Sequence, residues 1–267
     1  MNKRYKITKE FREAIKNSGL SINELSKKLN FEVKNITSRN DTIREDNLEK
    51  LKQYINLPTI KETKINYIKN LGYTFIDRSK KLRENKFLAE LIGIVLGDGN
   101  LCRNRIHISF DKRAKHYIDY VSKLFYRVTG IKLKYNQIAG TNQSYLYCYN
   151  QNLSENFVKC GLQRGDKIVN QARIPLWVMK KKEYMSKTIR GLIDTDGCIY
   201  KCKREKQIYV KFTNFNNSLL KDFKTCTNLL GYSFAKSNKH NLCLYRKQEV
   251  VRFIKYIQPC KAIGVVV

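Results

Sequence analysis

Two nine-residue segments decide the fold, LIGIVLGDG at Leu91–Gly99 and IRGLIDTDG at Ile189–Gly197. When they are aligned, both have glycine at the third place, aliphatic residues at the first, fourth and fifth places, and Asp-Gly at the end. An isolated Asp-Gly pair usually marks a turn. Here the pair ends an apolar helical segment twice, with the aspartates 98 residues apart, which indicates a repeated unit.

The residues around the two segments predict the same order of elements. Each copy reads helix-strand-strand-helix-strand-strand-helix, which predicts an α+β fold of two pseudo-symmetric αββαββα repeats with antiparallel sheets. We place repeat 1 at 85–165, a linker at 166–182 and repeat 2 at 183–267. The predicted strands are 100–103, 105–110, 132–137 and 144–149 in the first copy and 198–203, 207–213, 232–236 and 242–246 in the second.

Small residues recur one helical turn apart in both segments. Gly93 and Gly97 have this spacing in the first, and Gly191 and Thr195 have it in the second. Glycine inside a helix costs about 1 kcal/mol relative to alanine. That cost is explained if the two helices approach each other closely along this face, so we predict a packed helix pair.

Such packing would bring Asp98 and Asp196 together at the helix ends. Two carboxylates at helix C-termini repel each other and face the negative end of the helix dipole. A divalent cation relieves both effects by binding carboxylate and terminal carbonyl oxygens. Mg²⁺ suits such a site because it keeps water ligands and accepts phosphate oxygens, so the pattern predicts phosphodiester hydrolysis.

These segments resemble the LAGLIDADG motif, and residues 86–267 resemble two repeats of that homing endonuclease family. The resemblance implies a site-specific, staggered double-strand cut in DNA by a monomer, with Asp98 and Asp196 as metal ligands. It also implies secondary ligation by the carbonyls of Gly97 and Thr195. The expected cofactor is Mg²⁺, with Mn²⁺ as a substitute and Ca²⁺ supporting binding without cleavage.

The family also has a basic or amide residue near the end of the second strand of each repeat. Lys211 and Asn214 match this place in the second copy, and Lys112 matches it in the first. Asp194, at the sixth motif place, is interpreted as a structural or charge-network residue. The apolar segment Arg173–Trp177 resembles the family's linker and is expected to pack structurally.

Alternation along the strands predicts a cationic and polar surface for DNA. In the strand 105–110, apolar residues alternate with polar ones, and Ile208, Val210 and Phe212 alternate in the same way in the second copy. The other interpretation is an ordinary solvated sheet face, but four cationic strand segments with few acids favour DNA. The predicted DNA-binding strand residues are Arg103, Arg105, His107, Ser109, Lys132, Lys134, Asn136, Lys201, Lys203, Tyr209, Lys211, Thr213 and Lys236.

Residues 1–58 are predicted to form a small all-α domain of the helix-turn-helix type, followed by a charged connector at 59–84. Ser21 and Glu24 form a capping box for a helix from Ile22 to Leu29, and a second short helix follows at 32–37. The segment resembles phage-repressor domains, which makes Lys34 and Asn35 candidate DNA contacts. The other interpretation is a generic helical bundle.

Charge identifies the class of partner. The chain has 53 Lys and Arg against 23 Asp and Glu, spread over both parts of the sequence, which favours nucleic acid over a solvated charged tail. The alternatives are a ribosome-associated protein or a lysine-rich composition bias with no partner. No apolar run reaches membrane-spanning length and no secretory signal is evident, so we expect no membrane partner and an intracellular protein with eight reduced cysteines.

Three functions remain open at this point. The first is a site-specific DNA endonuclease, and the second is a maturase that binds its host intron RNA. The third is a catalytically inactive DNA-binding transcriptional regulator on the same scaffold. Two aspartates at matching helix ends favour the endonuclease. The chain lacks Cys or Ser at its first place and His-Asn at its last, so we expect an intron-encoded or free-standing protein.

Overall fold

The computed structural model describes residues 3–38, 42–62, 65–68, 73–76, 79–202 and 207–262, with 65–68 and 73–76 described by their backbone alone. The chain divides into two compact units. The first is Met1–Arg78 with Asn150–Asn152, and the second is Ser79–Tyr149 with Leu153–Val267.

In its described residues, the first unit has four short helices around one apolar core. Helix α2 begins as the sequence predicts, because Ser21 and Glu24 form both hydrogen bonds of the capping box. Asn30, in the left-handed region at φ 55°, ends α2 and turns the chain into the next helix. The helices are α1 (Lys9–Lys16), α2 (Ile22–Leu29), α3 (Val33–Ser38) and α4 (Glu45–Lys52), and their buried side chains include Phe11, Ile15, Leu25, Val33 and Leu51.

The prediction that this unit is all-α is wrong. Strand β1 (Arg4–Lys6) pairs antiparallel with β2 (Thr42–Arg44). Strands β3 (Ile65–Ile68) and β4 (Tyr73–Ile76) form a second antiparallel pair inside the segment predicted as a connector. Strands of three or four residues are too short for side-chain alternation to show. The helix-turn-helix assignment and the limits 1–58 and 59–84 stay predictions.

The second unit contains the two repeats in the predicted order. Within the described ranges, each repeat has three α-helices and four strands, so the α+β αββαββα class is confirmed. Repeat 1 consists of α5 (Lys86–Gly97), β5 (Gly99–Leu101), β6 (Arg105–Asp111), α6 (Lys115–Thr129), β7 (Lys134–Gln137), β8 (Gln143–Tyr149) and α7 (Gln151–Lys159). Repeat 2 consists of α8 (Lys182–Asp196), β9 (Gly197–Lys201), β10 (Ile208–Thr213), α9 (Asn217–Leu229), β11 (Ala235–Asn238), β12 (Asn241–Leu244) and α10 (Lys247–Ile257).

The two sheets have equivalent strand orders, β5-β6-β8-β7 and β9-β10-β12-β11, and all neighbours are antiparallel. One face of each sheet packs into a core that both repeats share with the motif helices α5 and α8. Ile106, Ile108 and Phe110 form this face of β6, and Val210 and Phe212 form it on β10. We call the opposite face of each sheet its open face.

The linker packs as predicted. Arg173 pairs with the buried carboxylate of Asp222, with 2.7 Å between Nη2 and Oδ1. The backbone N–H of Ile174 donates to the same carboxylate over 3.0 Å, and Trp177 Nε1 donates to the Cys160 carbonyl. These bonds fix the path of the chain into α8. None of the eight cysteines forms a disulfide, and in the described ranges no helix has the length and hydropathy needed to cross a bilayer.

Candidate metal and nucleic-acid site

The two motif helices pack backbone to backbone, which is why both carry glycine. A Cβ at Gly191 would lie 2.5 Å from the Glu90 carbonyl oxygen, and a Cβ at Gly93 would overlap the Thr188 carbonyl oxygen. Thr188 Oγ1 donates to the Ala89 carbonyl over 2.8 Å and joins the helices within the buried interface. The predicted close contact of the helix pair is confirmed.

The last pair of small residues is not symmetric. The Thr195 side chain fills the space that a Cβ at Gly97 would need. Thr195 Oγ1 also donates to the carbonyls of Gly191 and Leu192 in its own helix, over 3.0 Å and 3.1 Å. Repeat 1 therefore contributes the cavity, and repeat 2 contributes the side chain that fills it.

Asp98 and Asp196 lie together at the C-terminal ends of these helices. Asp98 is the cap of α5, and Asp196 is the last residue of α8. Burial and the nearby charge of Asp98 raise the pKa of Asp196 to about 6. Burial also raises the pKa of Asp98, against the opposing effects of Lys261 and Lys167. The two carboxylates therefore lie near each other, as the sequence predicts.

Of the three residues predicted near the carboxylates, only Asn214 contacts one. Its Nδ2 donates to Asp196 Oδ2 over 2.7 Å. The Lys112 ammonium instead donates to the Thr141 carbonyl over 2.9 Å, in the hairpin between β7 and β8. Lys211 lies in the middle of β10 on the open face, opposite Cys198 and Cys243. The Lys112 ammonium is therefore held in this hairpin, and its predicted catalytic role stays a prediction.

Two lysines that the sequence analysis did not identify complete the site. Lys167, in the loop after α7, donates through Nζ to the Gly97 carbonyl. Lys261, in the 3-10 helix Cys260–Ala262 after α10, donates to the carbonyls of Thr195 and Gly197, both over 2.7 Å. The two carbonyls predicted as secondary metal ligands thus each accept an ammonium group. Each lysine comes from a loop or turn 65 to 69 residues beyond the nearby aspartate, so no local motif marks it.

The donor set fits a hard divalent cation. A cleft of about 260 Å³ opens beside Asp196, and Gly97, Lys167 and Asn214 help to line it. In the part of the chain that the structure describes, no group of three or more His, Cys, Asp or Glu side chains is arranged so that it could hold a metal ion. An ion here would therefore rest on two carboxylates, backbone carbonyls and water, a set that Mg²⁺ accepts and Zn²⁺ does not favour.

A buried charged network lies at the interface of the repeats. Arg190 of α8 lies 3.5 Å from Glu90 of α5 and 3.8 Å from Asp194, measured from Nε to the carboxylate oxygens. Tyr120 donates to Glu90, and the Lys261 backbone N–H donates to Asp194 over 3.1 Å. Asp194 therefore belongs to a structural charge network, as predicted from its motif place.

The open face of the first sheet is aromatic and polar. The side chains of Arg105, His107 and Ser109 alternate with the buried apolar residues of β6, so the predicted alternation is confirmed there. The Arg105 guanidinium lies 5.4 Å from the centroid of the Tyr145 ring and 5.7 Å from that of Tyr147. Lys134 and Asn136 share this face through their pairing with Tyr147 and Tyr145. Arg103 lies exposed in the turn between β5 and β6, and Lys132 lies exposed before β7.

The open face of the second sheet corrects two predictions. Lys201 pairs with Ile208, and Lys236 pairs with Leu242, so both lysines lie on the helix-covered side of the sheet. Neither lysine therefore lies on the open face where it was predicted, because each alternates with the open-face residues of its own strand. Their role in DNA binding stays a prediction. Tyr209, Lys211 and Thr213 do lie on the open face, where Tyr209 packs against the rings of Tyr200 and Tyr245. Lys203 lies outside the described residues, and Lys34 and Asn35 lie in the first turn of α3, exposed and half-buried respectively.

Known proteins resemble this arrangement. Residues 183–258 match the family model described as LAGLIDADG-like domain, and no curated protein matches the chain. A solved structure of I-DmoI in complex with DNA and Ca is 16% identical and has a TM-score of 0.46, covering 67% of this chain and 96% of that one. The N-terminal LAGLIDADG domain of DUF199/WhiA is 11% identical with the same TM-score, covering 67% and 86%. Full-length DUF199/WhiA from Thermatoga maritima is 10% identical with a TM-score of 0.45, covering 67% and 57%.

The match falls on the second repeat, where the motif helix ends in Asp196. Repeat 1 has the same order of elements, an equivalent sheet and a motif helix capped by Asp98. The resemblance recognised from the sequence is therefore supported: residues 183–258 match the model of the LAGLIDADG-like domain, and residues 86–159 repeat the same order of helices and strands.

Proposed function

We propose that this chain is a metal-dependent, site-specific endonuclease for double-stranded DNA that acts as a monomer. The observation that carries the proposal is the convergence of Asp98 and Asp196 at the ends of two packed helices. Burying two carboxylates together costs free energy, which a purely structural helix pair would avoid with neutral residues. A bound divalent cation, which in turn binds a phosphate of the substrate, would offset this cost.

In this proposal, Asp98 and Asp196 hold a divalent cation, Mg²⁺ or Mn²⁺, at the helix ends. When bound, that ion supplies an activated water and stabilises the leaving oxygen of a phosphodiester. Asn214 fixes the orientation of the Asp196 carboxylate. The glycine contacts between α5 and α8 keep the two carboxylates at a constant separation.

The open faces supply the DNA-binding surface. Arg105 and Lys134 in the first sheet and Lys211 in the second offer cations for phosphates, while the tyrosine hydroxyls offer hydrogen bonds to phosphates and base edges. The chain has 53 basic and 23 acidic residues, and this net positive charge favours binding to the DNA polyanion. Both catalytic halves come from one chain, which suits an asymmetric DNA site.

The test is cleavage of DNA that spans the chain's own gene locus with the gene removed. The full chain should cut it with Mg²⁺ or Mn²⁺, whereas Ca²⁺ should support binding alone. Asp98→Asn and Asp196→Asn should each stop cleavage and keep DNA affinity, because they remove no phosphate-binding cation. Asp119→Asn, at an exposed position paired with Lys123 over 2.6 Å, is the matched control. Cutting by the double Asn variant at the same site would contradict the assignment.

A DNA-binding regulator on this scaffold is the second candidate. The observation that favours it is the pair of ammonium groups, of Lys167 at the Gly97 carbonyl and of Lys261 at the Thr195 carbonyl, which offset the charge of the two aspartates without a metal. A chain of this kind would bind a specific DNA site and would not cleave it, whichever divalent ion is added. Binding to structured intron RNA in preference to DNA would instead favour a maturase.

A further inference from the structure

A basic cavity lies in the second unit at the N-terminal end of α5. Its volume is about 530 Å³, which is within the range of ligand-binding pockets in proteins. The segment before α5, the first turn of α5 and the last turn of α6 form its wall. Among the described residues that line it, four are cations, Lys80, Lys81, Arg83 and Arg127, and none is acidic. The composition of the wall therefore favours an anionic ligand.

The four cations of this cavity have no acidic partner within the described ranges. Glu84 belongs to the same segment, but its carboxylate lies 3.7 Å from the Lys180 ammonium instead. Lys86, at the start of α5, is likewise paired elsewhere, with Glu183 over 3.0 Å. The protein therefore leaves the positive charge of the cavity uncompensated, and the repulsion between its cations falls when an anion binds.

Several contacts hold the wall of this cavity in place. The Lys80 backbone N–H donates to the Thr129 carbonyl over 2.6 Å, and Leu82 packs against the core of the repeats. The Arg127 guanidinium carbon lies 3.5 Å from the centroid of the Phe87 ring, so the guanidinium rests on that ring. A cation that is already positioned loses less conformational freedom when it binds a ligand. The cavity is therefore more than a chance group of surface charges.

The cavity is separate from the candidate metal site. Asn85 caps the N-terminal end of α5 and lines the cavity, whereas Asp98 caps the C-terminal end. Because α5 has 12 residues, its two ends are about 18 Å apart. A phosphodiester bound at Asp98 therefore does not reach the cavity, which has to take its anion from another segment or another molecule.

We infer that this cavity binds a single-stranded nucleic acid, separately from the duplex on the open faces. Lys81 and Arg83, both exposed, supply cations for neighbouring phosphates. Arg127 supplies a flat guanidinium, and the Phe87 ring keeps that plane in position for stacking with an unpaired base. A duplex keeps its bases stacked on each other, so it offers no base to this plane. The binding requires neither a divalent ion nor cleavage.

The experiment is fluorescence anisotropy of the full chain in EDTA with a labelled, unstructured oligonucleotide of about 12 nucleotides. Unlabelled duplex DNA is present in excess to occupy the open faces. The Lys81→Gln, Arg83→Gln double variant should raise the Kd of the oligonucleotide at least about tenfold. It should also make the slope of log affinity against log salt shallower by about 1.4, because two phosphates are no longer neutralised.

The matched control removes one arginine and one lysine from another surface. Arg252 and Lys255 are exposed on α10, and Arg252 also lies over an aromatic ring, with 6.0 Å from its guanidinium carbon to the centroid of Tyr232. The Arg252→Gln, Lys255→Gln double variant should leave the Kd within about twofold of the wild type. Both pairs change exposed side chains, so the fold should persist, and the Tm of each variant checks this.

The stacking contact has its own test. Arg127→Lys keeps the charge and removes the plane, so it should raise the Kd roughly fivefold or more while the salt slope stays the same. An abasic oligonucleotide of the same length should bind the wild type and Arg127→Lys with equal affinity. The same base sequence is used as RNA and as DNA. Tighter binding of either form than of its abasic version supports the inference, and the tighter of the two identifies the sugar that the site accepts.

Three results overturn the inference. The first is an unchanged Kd in the Lys81→Gln, Arg83→Gln variant, or an equal loss of affinity in the α10 control. The second is complete displacement of the labelled strand by the duplex, which would place that strand on the open faces. The third is equally effective competition by polyglutamate of the same charge, which would show a general attraction of anions. Failure of the endonuclease assay changes none of these results, because binding is measured without a divalent ion.

Discussion

Replacing Asp196 with asparagine should stabilise the metal-free protein at neutral pH. Burial and Asp98 raise the pKa of Asp196 from 3.8 to about 6. The folded state therefore binds this proton more tightly than the unfolded state does. The stabilising contribution is complete below pH 4 and is lost as the pH rises through 6.

The magnitude follows from the two pKa values. Each pH unit between them changes the free energy of unfolding by about 1.4 kcal/mol, so ionisation of Asp196 costs about 3 kcal/mol at pH 7.5. Asparagine at this position stays neutral and still offers an oxygen to Asn214. We expect Asp196→Asn to raise the free energy of unfolding by roughly 1–3 kcal/mol, which is about 2–4 °C in Tm for each kcal/mol in a domain of this size.

The assay is thermal and urea unfolding in EDTA at pH 7.5 and at pH 4.5. The advantage of Asp196→Asn over the wild type should be largest at pH 7.5 and should shrink at pH 4.5, where Asp196 is protonated in the wild type. Asp119→Asn, at an exposed position on α6, should show no such gain. The reasoning is refuted if Asp196→Asn is no more stable than the wild type at pH 7.5, or if its advantage is the same at both pH values.

Three further predictions use other parts of the fold. Gly191→Leu should lower the free energy of unfolding by more than the usual overpacking cost of about 1–3 kcal/mol, because its side chain would meet the α5 backbone, and a normal urea midpoint would contradict this. Lys211→Ala should weaken DNA binding and make the slope of log affinity against log salt shallower by about one, whereas Lys236→Ala, on the helix-covered side, should change neither. Lys34→Ala should shorten the DNase footprint at one end, and an unchanged footprint would mean that α3 does not touch DNA.

The two repeats and the convergence of the two aspartates could be predicted from the sequence alone. Asp98 and Asp196 follow apolar helices with glycine at matching places, and close packing is the physical consequence of those glycines. The strand faces of β6 and β10 were also predictable, because their core aliphatic and phenylalanine residues recur at every second position.

Other features depend on tertiary structure that no local pattern records. Lys167 lies eight residues after α7 ends, while Lys261 lies four residues after α10 ends, so an alignment of the repeats does not superimpose them. Lys201 is the last residue of β9, and Lys236 lies next to an irregularity in the pairing of β11, so alternation along the sequence alone did not assign their faces. The short strands β1 and β2 in the first unit contain three residues each and gave no periodic signal.

The asymmetric contact of Gly97 with Thr195 determines which partner each half can accept. A pair of first repeats would place glycine against glycine and leave a void at the helix ends, and a pair of second repeats would force threonine against threonine. The buried Glu90 of one repeat likewise finds its arginine, Arg190, only in the other. If the gene were split between the halves, we expect the two fragments to associate with each other in preference to copies of themselves.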